Sequence, residues 1–238
     1  MLAVATWNLD AGRGDLARFV ADLESGQLTP GPAHDVVLLL QEFVQGRSAQ
    51  VDKLTAARGW AFAFEPVRAD GGRTTGNAIV SSRPLANARA IPLPRERQPR
   101  AAVTGTIDLA GERMFVVSAH LENRAGSWRA LFSDLARRRQ AEALIGALPE
   151  DGFGVLGGDF NAWLGRQEPA WKVLLERFDD TPGVMRTDTF RDRLVLDHLL
   201  FDLPPGWQAV TSVARDQYGS DHHPVVAAIS VSARGARR

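Results

Sequence analysis

The sequence predicts an α/β domain of mixed β-sheets with helices on the outside. Strand-like apolar runs outnumber helical ones, hairpins alternate with helix-bearing crossovers, and no linker interrupts them with a shift in composition. A purely parallel sheet would need a regular strand–helix alternation that is missing here, and residues 1–238 read as a single domain.

Taken in order, Leu2 to Leu9 reads as the first strand, and Leu16, Phe19, Val20 and Leu23 recur at helical spacing. The run from Asp35 to Glu42 is continuously apolar before it ends in Gln41-Glu42, the pattern of a strand covered on both faces. A helix is expected from about Ser48 to Arg58 and an extended segment from Trp60 to Pro66. Asp70 to Gly76 reads as a flexible polar loop. Strands follow at Asn77–Ser81, Ala101–Leu109 and Arg113–Ala119, the last two joined by a turn at Ala110-Gly111. The segment Ile91 to Arg100 is proline-rich and basic, hence a loop or an edge. The longest helix is expected to begin with Ser127 as N-cap, to align Trp128, Leu131, Leu135, Leu144, Ile145 and Leu148 on one face, and to stop at Pro149. Arg137-Arg138-Arg139 within it reads as a solvated face. Phe153–Leu156 is a buried strand, Trp171 to Leu175 a short helix, and Val195–Phe201, Gln208–Ala214 and Val225–Val231 the closing strands.

Composition excludes several function classes. There is no cysteine, which removes disulfides, thiolate zinc sites and cysteine nucleophiles. Acidic and basic residues balance at 28 each, so net charge does not force association with nucleic acid or an anionic membrane. Two basic loops, Arg68 to Arg73 and Arg95 to Arg100, keep nucleic acid among the possible substrates. No apolar stretch is long enough to cross a bilayer. No leader precedes the first strand, so a cytoplasmic monomer is expected, or an exported protein if a leader has been removed.

The chemistry gathers where strands end. Gly157-Gly158-Asp159-Phe160-Asn161 follows a buried strand, with two glycines that let the backbone turn close to a ligand before an acid and an amide. Asn8, Asp10, Glu42, His120, Asp197, Asp221 and His222 occupy similar positions. Carboxylate and amide oxygens dominate, a hard-oxygen set that suits Mg²⁺ or Mn²⁺ better than Zn²⁺. Mg²⁺ takes one or two carboxylates, keeps waters and accepts phosphate oxygens, which suggests a phosphate-ester substrate. Asp197 with His222 forms a candidate carboxylate–imidazole pair. Each residue alone has a plainer reading: a turn cap for Asn8 and Asp10, a solvated acid for Glu42, an Asx-turn for Asp159 and Asn161, a core histidine for His120 or His198. A zinc site using His198, His222 and His223 is disfavoured, because adjacent strand residues point to opposite faces.

The ordered set Thr6-Trp7-Asn8-Leu9-Asp10, Leu40-Gln41-Glu42, Gly76-Asn77-Ala78-Ile79, Ser118-Ala119-His120-Leu121, Gly158-Asp159-Phe160-Asn161, Leu196-Asp197-His198 and Ser220-Asp221-His222 resembles the endonuclease/exonuclease/phosphatase superfamily over nearly the whole chain. The resemblance implies a four-layer α/β sandwich, two mixed sheets face to face between helices. It implies Glu42 as main metal ligand, with Asn8, Asp10 and Asp221 near the metal. Asp159 and Asn161 would orient water and phosphate, His222 would be the general base oriented by Asp197, and His120 would hold or protonate a phosphate oxygen. Asn77 would lie on the rim, Arg124 could grip a phosphate, and Trp163, two residues past Asn161, could touch a base, sugar or acyl group. The implied reaction is metal-assisted in-line attack of water on phosphorus. Apurinic endonucleases usually carry Tyr where this chain has His120, which argues against a close match to them. Nucleic acid, a phospholipid or sphingolipid head group and a small phosphorylated metabolite remain as substrates. A lipid enzyme should show an apolar surface near the cleft, with Trp163 to Leu175 the candidate. A non-catalytic binding module of the same fold would have lost a ligand or a histidine, and none is missing.

Overall fold

A computed structural model describes residues 1–46, 49–123, 130–180 and 188–231. The first half runs β1 (Leu2–Asn8), α1 (Leu16–Glu24), β2 (Asp35–Gln45), α2 (Ala49–Arg58), β3 (Ala61–Asp70), β4 (Arg73–Ser81), β5 (Ala86–Pro92), β6 (Ala101–Leu109) and β7 (Glu112–His120). The second continues with α3 (Ala130–Ala147), β8 (Phe153–Asp159), α4 (Pro169–Leu174), a two-residue β9 (Asp179–Asp180), β10 (Asp197–Asp202), β11 (Gln208–Val213) and β12 (Val225–Ser230).

These strands form two six-stranded sheets, ordered β11-β12-β1-β2-β4-β3 and β5-β6-β7-β8-β10-β9. Each sheet has one parallel pair at its centre, β1 with β2 and β7 with β8, and antiparallel pairs elsewhere. A helical crossover closes each parallel pair, as parallel neighbours require. The sheets pack face to face through Val4, Val37, Leu39 and Ile79 on one side and Val103, Val116, Val155 and Leu199 on the other. α1 and α2 cover the outer face of the first sheet, α3 and α4 that of the second. The architecture is the four-layer α/β sandwich.

Period-two alternation decides which residues face the interior of the sandwich. Along β1 the inner face reads Leu2, Val4, Thr6, Asn8; along β7 it reads Met114, Val116, Ser118, His120; along β8 it reads Val155, Gly157, Asp159. Each row passes from apolar to polar toward the same end of the sandwich. Gly157 is required in that row, because a Cβ there would lie 2.6 Å from Leu39 Cδ1 and 2.9 Å from Thr6 Cβ. The polar rows therefore converge between the sheets at one rim.

Three local readings change. Asp70 to Gly76 is not a loop: Gly71 and Gly72, at φ 53° and 77°, make a two-residue turn and Arg73 already pairs with Asp70 in the β3–β4 hairpin. On α3 the buried stripe runs through Asp134, Arg137, Gln140, Ala141, Leu144 and Leu148, while Leu135 is 47% exposed. Arg137 is therefore no solvated residue; it is 0% exposed, and its Nε donates to Glu168 Oε1 at 2.7 Å. Arg138 and Arg139 do remain outside, paired with Glu142 and Glu96. Ser127, Trp128 and Arg124 lie outside the described residues.

Candidate active site

The polar rim opens into a cleft of about 1460 Å³. Asn8, Asp10, Glu42, His120, Asp159, Asn161, Asp221 and His222 line it together, joined by Asn77 and Trp163. Asp197 lies beneath its floor and is fully buried.

β1 delivers Asn8 and β8 delivers Asp159 from opposite sheets, and Asn8 Nδ2 donates to Asp159 Oδ2 at 3.1 Å. The other Asp159 oxygen accepts the Asn161 backbone N–H at 3.0 Å, an Asx-turn in which Asn161 holds φ 50°. Burial and then Asp197 push the Asp159 carboxyl up to about 7. His120, register partner of Asp159 in the parallel pair, places Nε2 3.4 Å from Asp159 Oδ2. Burial first, then the Arg100 and His222 charges, hold His120 well below the usual histidine range, so its imidazole is neutral at pH 7. A neutral ring can donate one hydrogen bond to a phosphoryl oxygen.

His222 Nδ1 stands 2.7 Å from Asp197 Oδ2. Burial alone would lower His222, but Asp197 outweighs it by charge and hydrogen bond, and with Asp159 and Asp221 pushes the ring up to about 10. The dyad is fixed from several sides. Trp7 Nε1 donates to the His222 carbonyl at 3.0 Å, Ser220 Oγ accepts the His222 N–H, and the Thr189 hydroxyl accepts the backbone N–H groups of Leu196 and Asp197. His223 turns the other way, toward Asp192 and the Ala214 carbonyl. His198 packs in the core between Phe160 and Trp171. The three histidines of a zinc site are thus kept apart.

Glu42 reaches the cleft through a bulge. Strict alternation along β2 would send it to the helix side with Leu38 and Leu40. The register shifts between Leu40 and Phe43, Glu42 adopts φ 52°, and its Oε2 accepts the Ala11 N–H at 3.0 Å. Asp10 and Asp221 are spent on exposed arginines, Arg13 at 2.6 Å and Arg191 at 2.9 Å. Such exposed pairs are weak, worth about 0–1 kcal/mol, so both acids remain exchangeable. Among the described residues, the trio of acidic and imidazole groups whose atoms all lie within 4.8 Å of one another is Asp159, Asp197 and His222. Asp159 accepts from Asn8 and Asn161 and Asp197 Oδ2 meets His222 Nδ1, while Asp197 Oδ1 is buried without a hydrogen-bond partner. The Asn8 amide oxygen and the Glu42 carboxylate fit a hard cation better.

Two predicted substrate contacts differ in setting. Asn77 is buried, and its Nδ2 is used on the Ala101 carbonyl at 2.6 Å, so it ties β4 of one sheet to β6 of the other beneath the cleft. Trp163 is half-buried on the cleft wall. The segment expected to meet lipid is divided: Ala170, Trp171 and Leu174 are buried, residues 164–167 are exposed, and Leu164 is its exposed large apolar residue. The sequence marks Arg100 only as the end of a basic loop and gives no role to Thr189. Arg100 stands at the entrance of β6 beside His120, and its position directly after Pro99 was the available signal. Thr189 gave none.

The family model described as Endonuclease/Exonuclease/phosphatase family matches residues 5–222. No curated relative matches the chain. Among solved structures, an endonuclease/exonuclease/phosphatase from Beutenbergia cavernae DSM 12333 is similar with TM-score 0.73 and 22% identity, over 96% of this chain and 71% of that one. The human Nocturnin catalytic domain with bound sulfate anion gives TM-score 0.72 and 19% identity, over 96% and 94%. Sphingomyelinase C from Streptomyces griseocarneus gives 0.64 and 18%, over 95% and 98%. At these identities the solved structures speak for the fold.

Proposed function

Because the chain belongs to the Endonuclease/Exonuclease/phosphatase family, we propose that it is a divalent-metal-dependent phosphoesterase that hydrolyses a phosphodiester by in-line attack of water. The observation that carries this reading is the meeting, in one cleft, of the His222–Asp197 dyad at 2.7 Å with Asn8, Asp159 and Asn161 from the facing rows. Glu42 and Asn8 would hold Mg²⁺ or Mn²⁺, with Asp10 and Asp221 near it. When bound, the ion would supply Lewis-acid stabilisation of charge on the phosphoryl group.

The remaining steps belong to the protein. Asp159 and Asn161 orient the water and the phosphate. Asp197 fixes the His222 ring by its hydrogen bond to Nδ1, which leaves Nε2 for the chemistry. The protonated ring donates to a phosphoryl oxygen; the deprotonated ring takes the proton of the attacking water. Two of the three carboxylates that raise His222, Asp159 and Asp221, face the cleft, so neutralising them moves the ring toward the range of a general base. His120 donates a hydrogen bond to a phosphoryl oxygen.

The test is hydrolysis of bis-p-nitrophenyl phosphate with Mg²⁺ or Mn²⁺. Turnover is expected to vanish with chelator and to fall by a factor of about 10²–10⁴ in His222→Ala. A wild-type protein that leaves the diester intact under both metals would refute the reading. Calorimetric titration should show weaker metal binding in Glu42→Gln, and unchanged affinity would remove Glu42 as ligand.

A further inference from the structure

Six arginines line the cleft: Arg68, Arg73, Arg95, Arg97, Arg100 and Arg191. Three have carboxylate partners, Arg68 with Asp70, Arg97 with Glu122 and Arg191 with Asp221. Among the described residues, Arg73, Arg95 and Arg100 have no carboxylate within ion-pair distance. Arg100 is the innermost: its Nε is buried without a hydrogen-bond partner, and it sits close enough to His120 to lower that ring. Arg100 thus lines the cleft with a guanidinium that, among the described residues, no carboxylate pairs and whose buried Nε–H lacks an acceptor.

Topology gives Arg100 a counterpart. In the first sheet Thr6 pairs with Val225, so continuing that register three residues places His222 opposite Leu9. In the second sheet Ala119 pairs with Ala102, so continuing two residues places Arg100 opposite Leu121. Leu9 and Leu121 are themselves equivalent, donating their N–H groups to Gln41 and Asp159 across the two parallel pairs. Arg100 therefore occupies in the second sheet the place that His222 occupies in the first, and the two flank the reactive residues from opposite sides.

The loop that carries Arg95 and Arg100 is anchored. Gln140 of α3 donates to the Pro94 carbonyl at 3.0 Å, Glu122 Oε2 accepts the N–H groups of Arg97 and Gln98, and Leu93 N–H closes the loop on the Arg100 carbonyl. Glu122 is held in turn by Gln140 and by buried Arg137, which donates to its carbonyl. Arg73 projects from the β3–β4 hairpin, whose tight turn fixes it at the same cleft.

We propose that Arg100, Arg95 and Arg73 form a second anion subsite along one wall of the cleft, which receives a phosphate next to the scissile one in a nucleic-acid strand. This rests on the phosphoesterase reading. A cleft of about 1460 Å³ exceeds the roughly 300–1,000 Å³ of a small-molecule site and suits a chain of several units. A lipid head group offers one diester and needs an apolar collar; Trp171 and Leu174 are buried, and exposed Leu164 is not among the residues that line the cleft.

Two measurements test it. With chelator present, fluorescence anisotropy of a labelled single-stranded oligonucleotide should show binding that weakens about tenfold in Arg73→Ala/Arg95→Ala, with a salt slope reduced by about 0.7 per lost phosphate contact. Under turnover, the preference for the oligonucleotide over bis-p-nitrophenyl phosphate, taken as a ratio of kcat/KM values, should fall at least tenfold in that variant and in Arg100→Lys. Arg113→Ala, exposed and outside the cleft, should leave both readings alone. Diester hydrolysis with an unchanged preference ratio, or preferential cleavage of sphingomyelin vesicles, would overturn the subsite while leaving the phosphoesterase reading intact. No diester hydrolysis by the wild type would fell that reading separately, and the anisotropy would still decide the subsite.

Discussion

The two sheets share one plan and end in different chemistry. Both have a central parallel pair closed by a helix, β1-α1-β2 and β7-α3-β8, and both add antiparallel neighbours in the same order. At matching register the first pair ends in Asn8 and Gln41, the second in His120 and Asp159. The flanking strands enter with His222 in one sheet and Arg100 in the other. No repeat is visible in the sequence, so the likeness is one of backbone. The difference teaches that the fold supplies two facing sets of strand ends, while side chains divide the labour: an imidazole that can carry protons on one side, a permanent cation on the other.

The largest break in that comparison should come from the dyad. His222→Ala is expected to reduce kcat on bis-p-nitrophenyl phosphate by about 10²–10⁴, whereas Arg100→Ala should act mainly through KM for an oligonucleotide. Equal kcat losses on the small diester would mean that the two sheets do not divide the work in this way.

Next in size is the support under the second sheet. Arg137 is buried among Glu168, Asp134 and the Glu122 carbonyl. Arg137→Met leaves Glu168 buried without its cation, and such one-sided loss costs about 3–5 kcal/mol. Chemical denaturation should show that loss, with partial recovery in Arg137→Met/Glu168→Leu. The first sheet has Trp7, Phe19 and Tyr218 at the corresponding helix interface, an aromatic cluster whose charged contacts, Arg18 over the Tyr218 ring and Asp22 on its hydroxyl, are confined to Tyr218. A fully tolerated Arg137→Met would show that the ionic cluster is no more critical than the aromatic one.

How far the sequence exposed this arrangement depends on the physics of each residue. Strand-end residues such as Asn8, His120 and Asp159 were legible because a polar group closing an apolar alternating row has little else to do. The helix α1 is legible because Leu16, Phe19, Val20 and Leu23 obey one period; its cap, Asp15, comes from the structure alone. Glu42 was named as a ligand from its motif, but its path was hidden, since a bulge breaks the alternation that assigns faces. Arg137 reads as solvated because charge usually marks exposure, and its partner Glu168 lies 31 residues away. Arg100 is legible as part of a basic loop, but its place opposite Leu121 depends on the register of two strands that only tertiary structure aligns.

Titration offers a smaller effect. In the metal-free protein both Asp159 and His222 are raised above their unfolded values, Asp159 to about 7 and His222 to about 10. The stability each contributes is thus complete below its unfolded value and declines as pH rises, from about 4 to 7 for Asp159 and from about 6.5 to 10 for His222. Asp159→Asn should flatten the fall of Tm between pH 4 and 7 and, by removing one of the charges that raise His222, make the later fall end at a lower pH. A Tm profile parallel to wild type over the lower window would show that Asp159 ionises freely in the folded state.

The smallest expected effect concerns the seam between the sheets. Gln41 Nε2 lies 3.0 Å from Ser118 Oγ, and Ser118 donates to the Leu40 carbonyl at 2.9 Å, so a residue of each central pair is joined across the sandwich just below the reactive rim. Both side chains are fully buried. Ser118→Ala removes an acceptor for one Gln41 N–H and a donor for Leu40, and should cost about 1–3 kcal/mol. Gln41→Leu should cost a similar amount by removing the amide donor shared by the Ser118 and Thr6 hydroxyls and the Leu39 carbonyl. If the contact joins the two halves as a unit, the double variant should cost less than the sum of the single ones by about 0.5–3 kcal/mol, because neither partner is left alone. Strictly additive losses would mean that the sheets are held together by their apolar faces alone and that the polar layer serves each sheet separately.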